Sequence, residues 1–71
     1  MNIYERKNTE LIKEFDRYVR EHPEFADDIP NNAVVVMQLE GNAKFNQWSR
    51  RLAKTHASNS QPIIYVHIRK L

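Results

Sequence analysis

Residues 33–70 read AVVVMQLEGNAKFNQWSRRLAKTHASNSQPIIYVHIRK, and this stretch decides the fold. Three consecutive valines open the segment Ala33–Leu39, and stiff β-branched side chains favour a pleated strand over a helix. Alternation sends Val35, Met37 and Leu39 to one face and Val34, Val36 and Gln38 to the other. The far end, Ile63–Lys70, repeats the pattern with Ile64, Val66 and Ile68 against Ile63, Tyr65, His67 and Arg69. Between the two strands, Glu40-Gly41-Asn42 breaks the chain and Asn42 offers a helix cap. Ala43–Ser58 then has helical period, with Phe45, Trp48 and Leu52 within about 60° of arc and His56 and Ser49 beside them. Two strands joined by a helix of roughly fifteen residues are expected to run parallel with a right-handed crossover.

Upstream, Asn8–His22 is amphipathic. Leu11, Ile12, Phe15, Tyr18, Val19 and His22 share an arc of roughly 120°, into which Tyr4 and Asn8 also fall. The helix is expected to begin near Ile3, because Asn2 followed by Glu5 resembles a capping box, with Asn8 as a second candidate cap. Pro23 ends it, since the residue before a proline avoids the α region. The connector His22–Asn32, HPEFADDIPNN, spaces Phe25 and Ile29 four apart, so that a short helical turn would tuck both inward. The expected architecture is one small domain over residues 1–71, α/β or α+β, in the order α–β–α–β. Both helices cover the face formed by Val35, Met37, Leu39, Ile64, Val66 and Ile68. The opposite face is too apolar for water, and a parallel sheet is normally covered on both sides. Val34, Val36, Ile63, Tyr65 and His67 are therefore the expected interface, with the sheet completed by a second copy in a homodimer or by another protein.

Size points the same way. A chain of 71 residues with no cysteine has no disulfide to reinforce it. Below roughly 70–80 residues a single core rarely supplies more than ~3–5 kcal/mol without a disulfide, a metal or oligomerisation. Absence of cysteine also excludes thiolate zinc sites and thiol nucleophiles. His22, His56 and His67 lie in three separate segments without ligand spacing, Asp27-Asp28 has no third ligand nearby, and no cofactor is expected. The longest apolar runs, Ala33–Met37 and Ile63–Val66, are too short for a membrane span or a signal peptide. The expectation is a cytoplasmic protein that does not engage membranes. No Ser/His/acid arrangement or phosphate-cradling glycine loop is present, so an enzyme is not expected.

The net charge of +2 conceals a polarised chain. Residues 1–40 hold all nine acids and five bases, a net of −4, whereas residues 41–71 hold six bases and no acid, a net of +6. Such asymmetry points to an anionic partner or to head-to-tail association, unless the two halves neutralise each other on packing. On the second long helix, Lys44, Arg50, Arg51 and Lys54 share one acid-free arc with Gln47 and Ser58. This arc is a candidate anion-binding face, and weak nucleic-acid binding is the alternative function it supports, with Trp48 at its border able to stack on a base. Equally, the arc can be a solvated helix face and Trp48 a core anchor.

The segments EHPEFADDIPNNAVV and FNQWSRRLA, together with the strand QPIIYVHIRKL, resemble a family of short prokaryotic proteins known as a domain of unknown function. The resemblance covers nearly the whole chain. It implies no catalytic or ligand residue. Small proteins of this kind often serve as regulatory or toxin–antitoxin-like partners, which agrees with an interaction module.

Overall fold

A computed structural model describes residues 2–69. Helix α1 spans Ile3–Glu21, the single turn α2 Pro23–Ala26, strand β1 Val34–Leu39, helix α3 Ala43–His56 and strand β2 Ile63–Ile68. The fold is a small α+β arrangement in which the two strands pair in parallel, from Val34 opposite Ile63 to Leu39 opposite Ile68. Its order differs from the expected one only by the α2 turn interposed before β1. The strand expected to reach Lys70 runs to Ile68, and Lys70 lies outside the described residues.

Local chemistry accounts for each boundary. The capping box of α1 is complete: the Glu5 amide donates to Asn2 Oδ1 at 2.8 Å and the Asn2 amide to Glu5 Oε1 at 3.3 Å. Pro23 opens α2, where its missing N–H is no loss. Asn42 caps α3 by accepting from the Phe45 amide at 3.1 Å. Gly41 turns the chain between β1 and α3 at φ +84°, a left-handed conformation that costs a glycine nothing. The loops entering the two strands are tied together by Gln61. Its Nε2 donates to Asn32 O at 3.2 Å, and its Oε1 accepts from the Ser58 amide at 2.9 Å. Asn32 itself sits at φ 63°, which asparagine tolerates better than most residues.

Leu11, Met37 and Phe45 form the centre of the core, ringed by Tyr4, Phe15, Leu39, Trp48, Val66 and Ile68. Both long helices thus contribute to the sheet face that carries Met37, Leu39, Val66 and Ile68. Trp48 stacks on Tyr4 with ring centroids 5.7 Å apart, so it anchors the start of α1 to α3.

The second face departs from the expectation. Val36, expected at a bare interface, is 2% exposed, and Val36, Met37 and Gln38 are buried in succession. The middle of β1 is therefore enclosed on both faces, whereas Val35, expected beneath the helices, is 37% exposed. At Gln38 the physical reason is the position of α3, which packs along β1 and brings Arg50 and the Asn46 carbonyl over it. Strand β2 keeps simple alternation between half-buried and exposed positions. The uncovered surface thus belongs to β2 and not to the sheet as a whole.

Candidate functional site

The two edges of the sheet are treated differently. The Val34 amide donates to Pro62 O at 2.8 Å and the Glu40 amide to Ile68 O at 2.9 Å, so even-numbered residues of β1 turn their backbone groups towards β2. Backbone direction alternates along a strand. Val35, Met37 and Leu39 consequently turn theirs outward on the β1 side, and Ile63, Tyr65 and His67 do so on the β2 side.

The C-terminal half of the β1 edge is closed by side chains. Asn46 Oδ1 accepts from the Leu39 amide at 2.7 Å while its Nδ2 donates to the Leu39 carbonyl at 2.9 Å, so one carboxamide takes the place of a neighbouring strand. Gln38 Nε2 donates to the Met37 carbonyl at 2.9 Å, and Arg50 Nη1 holds Gln38 by donating to its Oε1 at 2.9 Å. Removing the Asn46 clamp leaves a partly buried donor and acceptor unpaired. Asn46→Ala is expected to cost about 2 kcal/mol, lowering the urea midpoint by roughly 2 M for a chain of this size. Asn46→Asp is expected to be at least as costly near neutral pH, because it retains the acceptor but sets a carboxylate against the Leu39 carbonyl. Urea melts followed by circular dichroism check both.

The β2 edge is open. Among the described residues, no hydrogen bond reaches the outward backbone groups of Ile63, Tyr65 or His67. Side chains here are also uncovered, with Tyr65 51% and Ile63 38% exposed. Alongside the edge runs a groove of about 500 Å³, floored by Tyr65–Ile68 and walled by Phe15, Tyr18 and Phe25. The turn α2 builds this wall by holding Phe25 edge-on against Tyr18, at 5.4 Å, and against Phe15, at 6.1 Å. Glu14, Arg17 and Glu21 of α1 line the rim, and Arg17 pairs with Glu14.

Of the five residues expected at an interface, Ile63, Tyr65 and His67 lie together on the exposed side of β2, Val34 is half-buried and Val36 is interior. The groove wall of Phe15, Tyr18 and Phe25 and the Asn46 clamp are features that sequence reasoning missed. Phe25 had one signal, its spacing from Ile29 in the connector. Asn46 had none, because its role depends on where the edge of β1 falls.

On α3, Lys44, Arg50, Arg51 and Lys54 are all exposed. Arg50 is engaged with Gln38, and among the described residues no carboxylate lies within ion-pair distance of Lys44, Arg51 or Lys54. Of the histidines, His22 packs against Tyr18 at the end of α1, with centroids 4.4 Å apart. His56 is exposed at the end of α3 and lines a small second groove with Val34 and Leu52. Among the described residues, no group of three His, Asp or Glu side chains is arranged to hold a metal ion, and no helix is long and apolar enough to cross a membrane.

No curated protein and no solved structure matches this chain. A family model does match: it covers residues 3–71, nearly the whole length over which the fold and its open edge are built, and the chain belongs to the family of unknown function DUF5647.

Proposed function

We propose that this chain is a small protein-interaction module that associates by accepting an extended strand on the free edge of β2. The observation that carries this reading is the inequality of the two edges. One is stoppered over its C-terminal half by Asn46 and Gln38, while the other, among the described residues, presents a full row of unpaired backbone groups beside an aromatic-walled groove. Strand addition takes its affinity from main-chain hydrogen bonds and its specificity from pockets for alternate side chains. Natural edge strands that must stay single are blunted by proline, lysine, bulges or inward charges. The six residues of β2, IIYVHI, carry none of these.

Amide spectra of the labelled chain test the reading, recorded over a concentration series and with a panel of displayed extended peptides. Shifts confined to Ile63–His67, Tyr18 and Phe25 are expected, and Tyr65→Glu should abolish them. A chain whose β2 amides respond neither to concentration nor to any peptide overturns it.

Lys44, Arg51 and Lys54, unpaired among the described residues, support a second reading, weak nucleic-acid binding by α3. Three phosphate contacts would make log K fall with log salt at a slope of about −2 to −3. Charge reversal at Arg51 and Lys54 would then remove most of the binding. Fluorescence anisotropy with single- and double-stranded oligonucleotides at low salt decides, and no binding there eliminates it.

A further inference from the structure

We infer that the strand accepted by β2 is the β2 strand of a second copy, paired antiparallel about Val66 to give a continuous four-stranded sheet. This rests on β2 being the association edge and names its occupant.

The first support is the register. The outward backbone groups belong to Ile63, Tyr65 and His67, so an antiparallel partner must bring odd-numbered residues opposite odd-numbered ones to exchange hydrogen bonds. Centring the pairing on Tyr65 or on Val66 meets that requirement, but only the Val66 centre sets the whole helix-side row Ile64, Val66 and Ile68 against itself. Tyr65 then faces His67 of the second copy in a hydrogen-bonded pair, and Val66 faces its own counterpart in the closer, non-hydrogen-bonded pair. On the helix side, Ile64, Val66 and Ile68 meet Ile68, Val66 and Ile64 of the second copy. The half-buried apolar row of β2 thereby continues unbroken into the groove, where Phe15, Tyr18 and Phe25 wait. Cross-strand aromatic and β-branched pairs are the stabilising unit of such sheets.

Charge supports the same occupant. Strand β2 contains no carboxylate, and its nearest cation is Arg69. This register sets Arg69 opposite Ile63 of the second copy, which keeps the two arginines at opposite ends of the joined strands. A pairing centred on Arg69 itself would set like charges face to face. The rim of the groove runs Glu14, Arg17, Glu21, so its negative and positive groups alternate and it can meet its own reversed copy with Arg17 beside a carboxylate.

The third support is the size of the core. Among the described residues, the buried apolar set is Leu11, Val36, Met37, Phe45 and Ala53, a small interior for a chain without disulfides. A second copy turns the exposed edge of β2 into the middle of a sheet and covers Tyr65.

The absence of cysteine makes the register directly testable. Non-hydrogen-bonded antiparallel pairs have Cα atoms about 4.5 Å apart, within the span of a disulfide. Val66→Cys is expected to form a covalent dimer rapidly on mild oxidation. Ile64→Cys alone should not, whereas an equimolar mixture of Ile64→Cys and Ile68→Cys should. Since Val66 is half-buried and its replacement can disturb folding, a second measurement uses the unsubstituted chain. Mixed labelled and unlabelled copies should give intermolecular contacts between Val66 methyl groups and between Tyr65 and His67 rings. Equal cross-linking at all three positions, or a dimer whose intermolecular contacts lie away from β2, overturns the inference. A chain that stays monomeric to millimolar concentration also overturns it. The broader reading survives that last result if peptides still shift the β2 amides, and falls if they do not.

Discussion

Phe45→Ala is expected to leave the chain largely unfolded at 25 °C and low concentration. Phe45 is fully buried at the junction of α3 with α1 and β1, with its ring 5.7 Å from Trp48 and 6.5 Å from Tyr4. Truncating a buried phenylalanine costs about 3–5 kcal/mol, part lost transfer energy and part cavity. A single core of this size supplies about the same amount, so the variant has little or no stability left. Far-UV circular dichroism should show loss of most helix signal before denaturant is added. Phe45→Leu retains most of the volume and is expected to fold with a loss of about 1–2 kcal/mol. Any partner that binds only the folded form raises the apparent stability with concentration, so both variants need comparison at one fixed, low concentration. A Phe45→Ala chain that melts cooperatively near the wild-type midpoint would contradict this packing.

Val36→Lys and Tyr65→Lys are expected to behave oppositely, although simple alternation puts both residues on the same sheet face. Val36 is 2% exposed within the buried run Val36–Gln38. Desolvating an ammonium group there costs several kcal/mol, enough to unfold the chain. Tyr65 is half exposed on the open side of β2, where a lysine should change monomer stability by no more than about 0.5 kcal/mol. Tyr65→Lys should nevertheless abolish association, because it plants a charge on the edge that accepts the incoming strand. Urea melts at dilution, paired with sedimentation velocity at high concentration, separate the two effects.

These contrasts show how far the fold was legible beforehand. The parallel strand pair, the helix between them and the capped start of α1 follow from β-branched runs, from Gly41 and Asn42, and from the spacing of Asn2 and Glu5. Each is a local signal, and local signals survive in the folded chain. The sheet face expected to be bare is so only along β2. Alternation specifies which side chains share a face but not how far a helix slides across it. Helix α3 sits over β1, so Val36 and Gln38 became interior while Tyr65 did not. The clamp made by Asn46 and the wall made by Phe15, Tyr18 and Phe25 are tertiary in the same sense. They exist only once α3 lies along one edge and α2 folds back beside the other. The polarity of the charge is plain in the sequence but its use is not: Arg50 stands in the basic arc and spends its guanidinium on Gln38.

The open edge of β2 is tested most directly by hydrogen exchange at the Tyr65 and His67 amides, followed from micromolar to millimolar concentration. Among the described residues of the separate chain these two N–H groups have no partner, whereas pairing of β2 with a second copy gives each an acceptor. The expected result is exchange close to the unstructured rate at dilution and strong protection at high concentration, with the Val36 and Ile64 amides protected throughout. Exchange at Tyr65 and His67 that is independent of concentration, or slow already at dilution, would contradict pairing of copies through the open edge.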